Sequence, residues 1–344
     1  MKAARPLSSV RLVLGLLPWL ALAVAAAGVA LHAGTAPLDV RRAVLAGPGA
    51  TDLEARVFWE LRAPRVGMGL LLGAGLSGVG VVFQAMLRNP IADPYVLGVS
   101  GGAALGGALG LVLAPLTALA GAGEAQLCAF AGALAATGFL WRLARGATGA
   151  SALAILLGGT VFNAFAAAAI LLLQSLVPAD RAQAILFWLM GSLRVETLPA
   201  QALLPAAAAV LLSLFVLLFQ GHALNALALG DLGAAAVGVD VLRLRRRLLV
   251  TACLIVGAAV SVGGLIGFVG LVVPHFLRLM VGPDHRRLLP TAALAGATFL
   301  VLCDAATRAL FPALGTDLPV GVLTAGLGAP VFLALLWRER ERLA

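Results

Sequence analysis

The chain has 344 residues, of which 62% are hydrophobic and only 11% are charged, and its mean hydropathy is +1.05. A soluble domain carries roughly a quarter of its residues as charges, so this composition excludes a water-soluble globular protein. The apolar residues stand in long runs, not in the roughly ten-residue alternation of an outer-membrane barrel, and they predict an all-α integral membrane protein.

The formal net charge of +9 would suggest a nucleic-acid partner in a soluble protein. Here the charges stand in short segments between apolar runs, which is typical of a positive-inside membrane topology, and we expect no nucleic-acid partner. Lys2, Arg5 and Arg11 before the first run resemble the start of a signal peptide. That run has about twenty residues and further runs follow it, so we interpret it as the first span.

Ten apolar stretches are long enough to cross a bilayer, because a helix that rises about 1.5 Å per residue needs roughly twenty residues to do so. They are residues 11–31, 65–88, 95–113, 126–142, 152–177, 199–219, 248–263, 265–281, 291–311 and 319–337. The seventh and eighth are separated only by a thin break at 262–264. A single span there would move the C-terminus to the other side of the membrane.

The basic residues favour ten spans with both termini in the cytoplasm. This topology leaves 16 of the 24 lysine and arginine residues on the inner side. Nine spans would place the basic clusters at 278–287 and 338–342 on opposite sides, against the positive-inside rule. We therefore expect residues 1–344 to form a single transmembrane domain.

Two polar stretches are too long to be simple turns. Residues 32–64 form a periplasmic segment in this topology and are rich in charged side chains. Residues 220–247 lie on the inner side, are rich in Ala and Leu, and end in a basic cluster. Glycines near 230–233 and at Gly238 break this segment, so we expect a pair of short helices at the cytoplasmic surface.

Few titratable groups lie inside the predicted spans, and we therefore expect no enzyme active site. Asp304 is the single acid there, and it is either functional or paired with Arg308, one turn later. His275 has no second ligand within a helical turn, which favours a hydrogen-bonded histidine over a metal ligand. The cysteines have no paired spacing, so they predict neither disulfides nor a metal site. They are Cys128, Cys253 and Cys303.

Two further patterns bear on nucleotide binding. Residues 73–78 match G-x-G-x-x-G but lie inside an apolar span, so their glycines indicate close helix packing and not a dinucleotide site. A P-loop needs Gly-Lys, and the only lysine is Lys2, so we expect no ATP hydrolysis and no cofactor in this chain. The energy for uphill transport would come from a partner or from an ion gradient. A gradient-driven secondary transporter of a small organic substrate is the alternative, although Asp304 alone provides no proton relay.

Several motifs resemble the permease subunit of type II ABC importers, the FecCD family, which takes up ferric siderophores, haem and cobalamin. They run in order from about residue 56 to the C-terminus. They are LRAPR at 61–65, QAMLRNPIADP at 84–94, LGVSG at 97–101, WLMGS at 188–192, LNALALG at 224–230, GFVGLVVPH at 267–275, DHRRLLP at 284–290, LPVGVLT at 318–324 and GAP at 328–330.

The resemblance implies a multi-pass permease of the bacterial inner membrane, with ten helices, that works as a homodimer around a central pathway. It also implies two cytoplasmic ABC ATPase subunits, which bind ATP and Mg, and an external binding protein that delivers the substrate. We expect span five, span ten and the region of Trp188 to line the pathway. Haem or a ferric siderophore is the expected cargo and cobalamin a further candidate, because the permease sequence does not determine which.

The resemblance also assigns candidate residues on the inner side. Asn89 and Ile91 from each copy would meet at the dimer axis as a cytoplasmic gate, although Asn-Pro-Ile also reads as a plain helix-ending turn. The loop from Thr148 to Ser151 resembles a second gating loop. The segment 220–240 matches the coupling helices that dock on the ATPase. The residues assigned to that contact are Asn225, Leu227, Ala228, Leu229 and Gly230.

On the outer side, the resemblance assigns Arg62, Arg65 and Arg308 to docking of the binding protein. Five of the eight outer arginines stand before span two in the predicted topology. The alternative is that these three arginines anchor helix ends or pair with Glu60 and Asp304.

Overall fold

The bundle is built almost entirely of helices. The computed structural model describes residues 9–34, 38–113, 123–146, 149–150, 152–194, 198 and 200–343. The long helices are α1 (Ser9–His32), α4 (Ala63–Met86), α5 (Val99–Leu113), α6 (Glu124–Ala144), α7 (Ala152–Leu176), α9 (Ala200–Leu218), α12 (Val241–Gly263), α13 (Val269–Val281), α14 (His285–Leu314) and α15 (Val320–Leu343). Each of the ten predicted stretches falls on one of these helices, as expected when every backbone polar group must be satisfied within its own segment.

Short elements join the long helices. They are α2 (Val40–Ala46), α3 (Leu53–Arg56), a π-helix (Val57–Arg62), a 3-10 turn (Pro94–Leu97), α8 (Ala179–Leu189), α10 (Gly221–Ala228) and α11 (Asp231–Ala236). A two-residue antiparallel ladder pairs β1 (Arg145–Gly146) with β2 (Gly149–Ala150). The basic cluster at 243–247 belongs to the first turns of α12, so the surface segment is shorter than the predicted 220–247.

Five helical stretches of the described residues are individually long and apolar enough to cross a membrane. A sixth is obtained if α9 and α10, which bend by 60° at a short break, count as one span. Helices α5 and α13 have only 15 and 13 residues, so each has at most half the length of α14, which has 30. Helix α13 is short because the residues before it make contacts with distant parts of the chain, as described below.

Glycine permits the close packing at the centre of the bundle. A Cβ on Gly73 of α4 would collide with the backbone of Gly296 of α14. A Cβ on Gly102 of α5 would lie 2.6 Å from the carbonyl oxygen of Gly132 of α6. Residues 73–78 therefore serve helix packing, as their position inside an apolar helix predicts.

The break between α12 and α13 is wider than the sequence predicts. The non-helical residues are 264–268, hereafter the helix break, and α13 begins at Val269 and not at 265. Phe268 adopts a left-handed backbone conformation, φ 67°, which is uncommon for a residue other than glycine. Ser192 donates a backbone hydrogen bond of 2.7 Å to the Gly263 carbonyl at this point. The seventh and eighth stretches are thus two separate helices.

Candidate functional site

Asp304 stands at the centre of an ion cluster between α4 and α14. Its carboxylate accepts hydrogen bonds from Arg65 Nη2 at 2.8 Å and Arg65 Nε at 3.0 Å. Arg308 Nε donates to the other carboxylate oxygen at 3.1 Å. Asp304 is only 2% exposed, so two cations compensate one buried acid. The pairing of Asp304 with Arg308 is one of the two alternatives that the sequence left open for this acid, and Arg65 joins the pair.

Arg62 and Arg308 also hold the end of α1. Arg62 Nη1 donates to the carbonyl oxygens of Leu31 and His32, at 2.9 and 3.2 Å, and Arg308 Nη1 donates to the Ala33 carbonyl at 2.6 Å. These carbonyls lack partners within their own helix, so the arginines cap its C-terminus. Arg62 is 6% exposed, which means that little of its side chain faces solvent.

A π-helical turn directs Arg62 inward. The backbone N–H of Ala63 donates to the Phe58 carbonyl, five residues back, where an α-helix would use the carbonyl four residues back. Pro64 follows and has no N–H to donate, which favours the wider turn. Glu60 pairs with Arg56 at 3.3 Å.

A cavity of about 270 Å³ lies beside the ion cluster. Its wall includes Arg65, Arg308 and Trp188, and Trp188 also packs against Gly107 of α5. Arg194 and Asp317, 2.6 Å apart, form an ion pair in the same wall. The sequence did not predict this ion pair, because the two residues are 123 positions apart and each stands in a short polar loop.

The predicted inner gate is an exposed turn. Asn89 Oδ1 accepts from the backbone N–H of Ile91 at 3.0 Å, a side-chain turn that Asn commonly forms, and Ile91 is 44% exposed. Residues 89–93 are hereafter the gate turn. Thr148 and Ser151, assigned to the second gating loop, lie outside the described residues, so the structure does not place them.

Residues 220–240 are hereafter the coupling segment. The five residues assigned to the ATPase contact lie on two different faces of this segment. Leu227 is 2% exposed and faces the bundle, whereas Leu229 is 69% exposed and Ala228 is also exposed. Gly230, between α10 and α11, has φ 91° and lies against Arg88. Two further exposed apolar residues accompany Leu229, and the sequence analysis did not assign them to the ATPase contact. They are Leu232, 90% exposed, and Val237, 62% exposed.

Asn225 turns inward and fastens α10 to the start of α14. Its Nδ2 donates to Asp284 Oδ1 at 2.7 Å, while its Oδ1 accepts from the His285 backbone N–H at 2.9 Å and bonds His285 Nδ1 at 2.8 Å. Because Oδ1 is an acceptor, we assign the ring proton to Nδ1. On the neighbouring helix, Arg245 of α12 pairs with Asp231 of α11 at 2.9 Å.

The ionisation of Asp284, which Asn225 binds at the start of α14, follows from its surroundings. Burial alone would raise the pKa of Asp284, but hydrogen bonds from Asn225 and the Arg286 backbone lower it on balance. A charged Asp284 is a good acceptor for the Asn225 amide N–H.

Comparison with known proteins gives the family. Residues 19–338 match the FecCD transport family. The chain belongs to the FecCD transport family. The hemin transport system permease protein of Yersinia pestis is 39% identical over 317 residues, which are 86% of this chain and 92% of that protein. The cobalamin import system permease protein of Halobacterium salinarum is 38% identical over 337 residues, 97% of this chain and 83% of the relative.

A solved structure supports the same assignment. It is described as a metal-chelate type ABC transporter in an inward-facing conformation, and it shares 30% sequence identity with a TM-score of 0.80. The match covers 95% of this chain and 99% of that one. This FecCD chain is therefore a multi-pass ABC permease and not a gradient-driven carrier. Permeases of this family work with ATPase subunits and a substrate-binding protein.

Proposed function

We propose that this FecCD chain is the transmembrane subunit of an ATP-driven importer of haem or a ferric siderophore, with cobalamin as a further candidate. It forms the translocation pathway as a homodimer in the bacterial inner membrane. Two cytoplasmic ATPase subunits, which bind ATP and Mg, supply the energy, and a periplasmic or extracellular binding protein delivers the cargo. The cargo classes follow the names of the relatives, which include a hemin and a cobalamin permease.

One observation carries this proposal: helix α14 supports two different surfaces, one where it begins and one about five turns later. Asp284 and His285, where α14 begins, fasten the coupling segment, which presents Leu229 and Leu232 outward. Asp304, about five turns later, gathers the arginine cluster. An apolar patch on the positive side suits a protein partner, since large exposed apolar side chains mark interaction sites.

The proposed topology has ten spans and two cytoplasmic termini. It is supported by the residues that meet around the cavity beside the arginine cluster, because this topology assigns all of them to the outer side. Those residues include Arg65, Leu111, Gln126, Arg194, Gly263, Thr307 and Pro319. The helix ends that carry Asn225, Arg88 and His285 meet at the opposite end of the bundle.

The helices proposed to face the second copy and the pathway have sparse contacts within the chain. Only 17% of the residues in the most apolar stretch of α7 are buried. Phe165 and Val161 of α7 are 63% and 70% exposed, and Val331 of α15 is 45% exposed. Such faces need another surface or lipid, and a homodimer would cover part of them. Their apolar character suits a wall that passes a bulky chelate without holding it.

The test is uptake by vesicles that contain the permease with its cognate ATPase subunits and binding protein. Haem, ferric siderophores and cobalamin are supplied in parallel. We expect ATP-dependent accumulation of at least one of them, and none when the ATPase subunits are omitted. Accumulation driven by an imposed proton gradient without ATP would contradict the proposal.

The gate is tested in the same vesicles. Asn89→Cys or Ile91→Cys is expected to crosslink between protomers more in one nucleotide state than in another, because the gate turn is exposed and lies near the proposed dimer axis. Equal crosslinking in every state would exclude the gate.

A further inference from the structure

Tyr95, in the 3-10 turn that follows the gate turn, has every polar group bonded to a different part of the chain. Its backbone N–H donates to Asp93 Oδ1 at 3.0 Å. Its carbonyl oxygen accepts from Asn163 Nδ2 of α7 at 2.7 Å and from Ser100 Oγ of α5 at 3.0 Å. Its hydroxyl oxygen accepts from the backbone N–H of Ile266, in the helix break, at 2.8 Å. One side chain thus joins the gate turn, which the proposed topology places on the inner side, to the helix break, which it places on the outer side, so the two segments meet inside the bundle.

Close backbone contacts fix the same 3-10 turn on two sides. Gly98, with φ 82°, ends the turn, and a Cβ there would lie 3.1 Å from Gly159 Cα of α7. On the other side, a Cβ on Gly270 of α13 would lie 2.8 Å from Pro94 Cγ and 2.8 Å from the Leu76 carbonyl oxygen. There is no spare room at either contact, so the turn moves with its neighbours.

The gate turn itself is held by local bonds. Ile91 and Ala92 both donate their backbone N–H to Asn89, at 3.0 and 3.1 Å. A cavity of about 400 Å³ lies beside the neighbouring 3-10 turn. Its wall includes Asp93, Tyr95, Leu265, Phe268 and Val322. Asp93, at the end of the gate turn, borders this cavity, so that end of the turn has open space beside it, and its position depends on how Tyr95 is held.

We propose that Tyr95 is a positioning residue of the inner gate, whose hydroxyl latches the gate turn to the helix break between α12 and α13. When the helix break moves relative to α7, the latch carries the gate turn with it. This inference rests on the proposed gate function of Asn89 and Ile91. It adds the residue that connects the gate to the rest of the bundle.

Tyr95→Phe is the sharpest variant. It keeps the ring and its packing, removes one hydroxyl, and leaves the Ile266 N–H without its acceptor. The matched control is Thr137→Val, which also removes one buried hydroxyl. This hydroxyl donates to the Ala133 carbonyl at 2.7 Å within α6, and its other bond, with Cys253 of α12, is already absent once the cysteines are replaced. Asn163→Ala loosens Tyr95 from the α7 side and serves as a second, independent variant.

The experiment uses the whole importer in vesicles, with Ile91→Cys in a chain whose native cysteines are replaced by Ala. The measured quantities are the ratio of interprotomer crosslinking between the ATP-bound and nucleotide-free states, and the cargo transported per ATP hydrolysed. In Tyr95→Phe we expect the crosslinking ratio to fall toward one and transport per ATP to fall with it. Asn163→Ala is expected to act in the same direction, and Thr137→Val is expected to match the parent chain.

The outcomes separate this inference from the proposed function. State-dependent crosslinking that survives unchanged in both Tyr95→Phe and Asn163→Ala would overturn the latch while leaving the gate intact. The absence of crosslinking in every state of the parent chain would contradict the gate, and the latch would fall with it. A lowered melting temperature in Tyr95→Phe with an unchanged crosslinking ratio would show that the hydroxyl serves only the fold.

Discussion

At the scale of single residues, the buried acid Asp304 belongs to a charge-compensated group. Asp304 is shared by Arg65 and Arg308, whose side chains are 17% and 11% exposed. A charge in a medium of low polarity is costly unless a partner and hydrogen bonds satisfy it. The cluster therefore depends on its single acid.

Asp304→Asn is expected to destabilise the folded chain strongly, because it leaves two buried arginines facing each other without a counter-charge. Removing one partner from a buried ion pair costs about 3 kcal/mol or more. The matched control is Asp317→Asn, which breaks a pair with Arg194 whose side chains are 51% and 55% exposed, and exposed pairs contribute about 0–1 kcal/mol. Thermal unfolding in detergent compares the two variants. Equal melting temperatures would contradict the compensated-cluster explanation.

The buried carboxyl of Asp93 is expected to make the free energy of unfolding depend on pH. Burial raises its pKa to about 6, although the hydrogen bond from the Tyr95 backbone opposes the rise. Because the unfolded carboxyl titrates near pH 4, the stability contributed by the protonated group is fully present below about pH 4 and is lost as the pH rises through about 6. Asp93→Asn keeps an acceptor for the Tyr95 N–H and cannot ionise. We expect it to raise the melting temperature at neutral pH and to flatten the profile between about pH 4 and pH 6.

The control for this titration is Asp180→Asn, which changes an exposed acid at the start of α8. It is expected to leave the profile unchanged. A profile of Asp93→Asn that parallels the parent chain would show that other groups cause the pH dependence.

At the scale of elements, the sequence predicts the long helices. It predicts where α12 and α13 are interrupted but not how long the interruption is. An apolar run in lipid has one main way to satisfy its backbone, so its length predicts a helix. The start of α13 at Val269 depends instead on contacts with residues far along the chain, such as the bond from Ile266 to Tyr95. A local pattern contains no such information, and the break was therefore predicted too short.

The coupling segment shows the same limit for the candidate site. Its location and its short helices were predicted from composition and from the family resemblance. The direction of Asn225 was not, because α10 has only 8 residues and its orientation is set by Asp284 and His285, about 60 positions later. The exposed Leu232 was missed because the family motif ends at Gly230.

Leu229→Arg is expected to reduce co-purification of the ATPase subunits and to abolish ATP-dependent uptake, while the permease dimer stays folded. The reason is that Leu229 is 69% exposed on the proposed docking face, so the substitution places a charge in an apolar contact without disturbing the core. Leu45→Arg is the matched control, since Leu45 is 78% exposed in the predicted periplasmic segment. Full recovery of the ATPase with Leu229→Arg would contradict the docking face.

At the scale of the whole molecule, the structural role of the outer arginines must be separated from the docking role proposed for them. Arg62 and Arg308 close the end of α1, so reversing their charges would damage the fold before it tested docking. Arg65 is the better probe, because Arg308 still neutralises Asp304 when Arg65 is removed. The dimer would present this cluster twice to the binding protein.

Arg65→Gln is therefore expected to weaken capture of the binding protein while the basal ATPase activity of the assembled complex survives. Rim charges mostly set association rate and register, and a charge that keeps only partial exposure, as Arg65 does at 17%, contributes at most on the order of 1 kcal/mol, so the loss is at most roughly fivefold for each copy. The difference from the parent chain is expected to be largest at low ionic strength, where unlike charges attract most. Arg56→Gln, in the exposed pair with Glu60, is the control for a general loss of positive charge. Equal affinity of the parent chain and Arg65→Gln at low salt would restrict Arg65 to holding Asp304, and binding-protein docking would then have to rest on other outer residues.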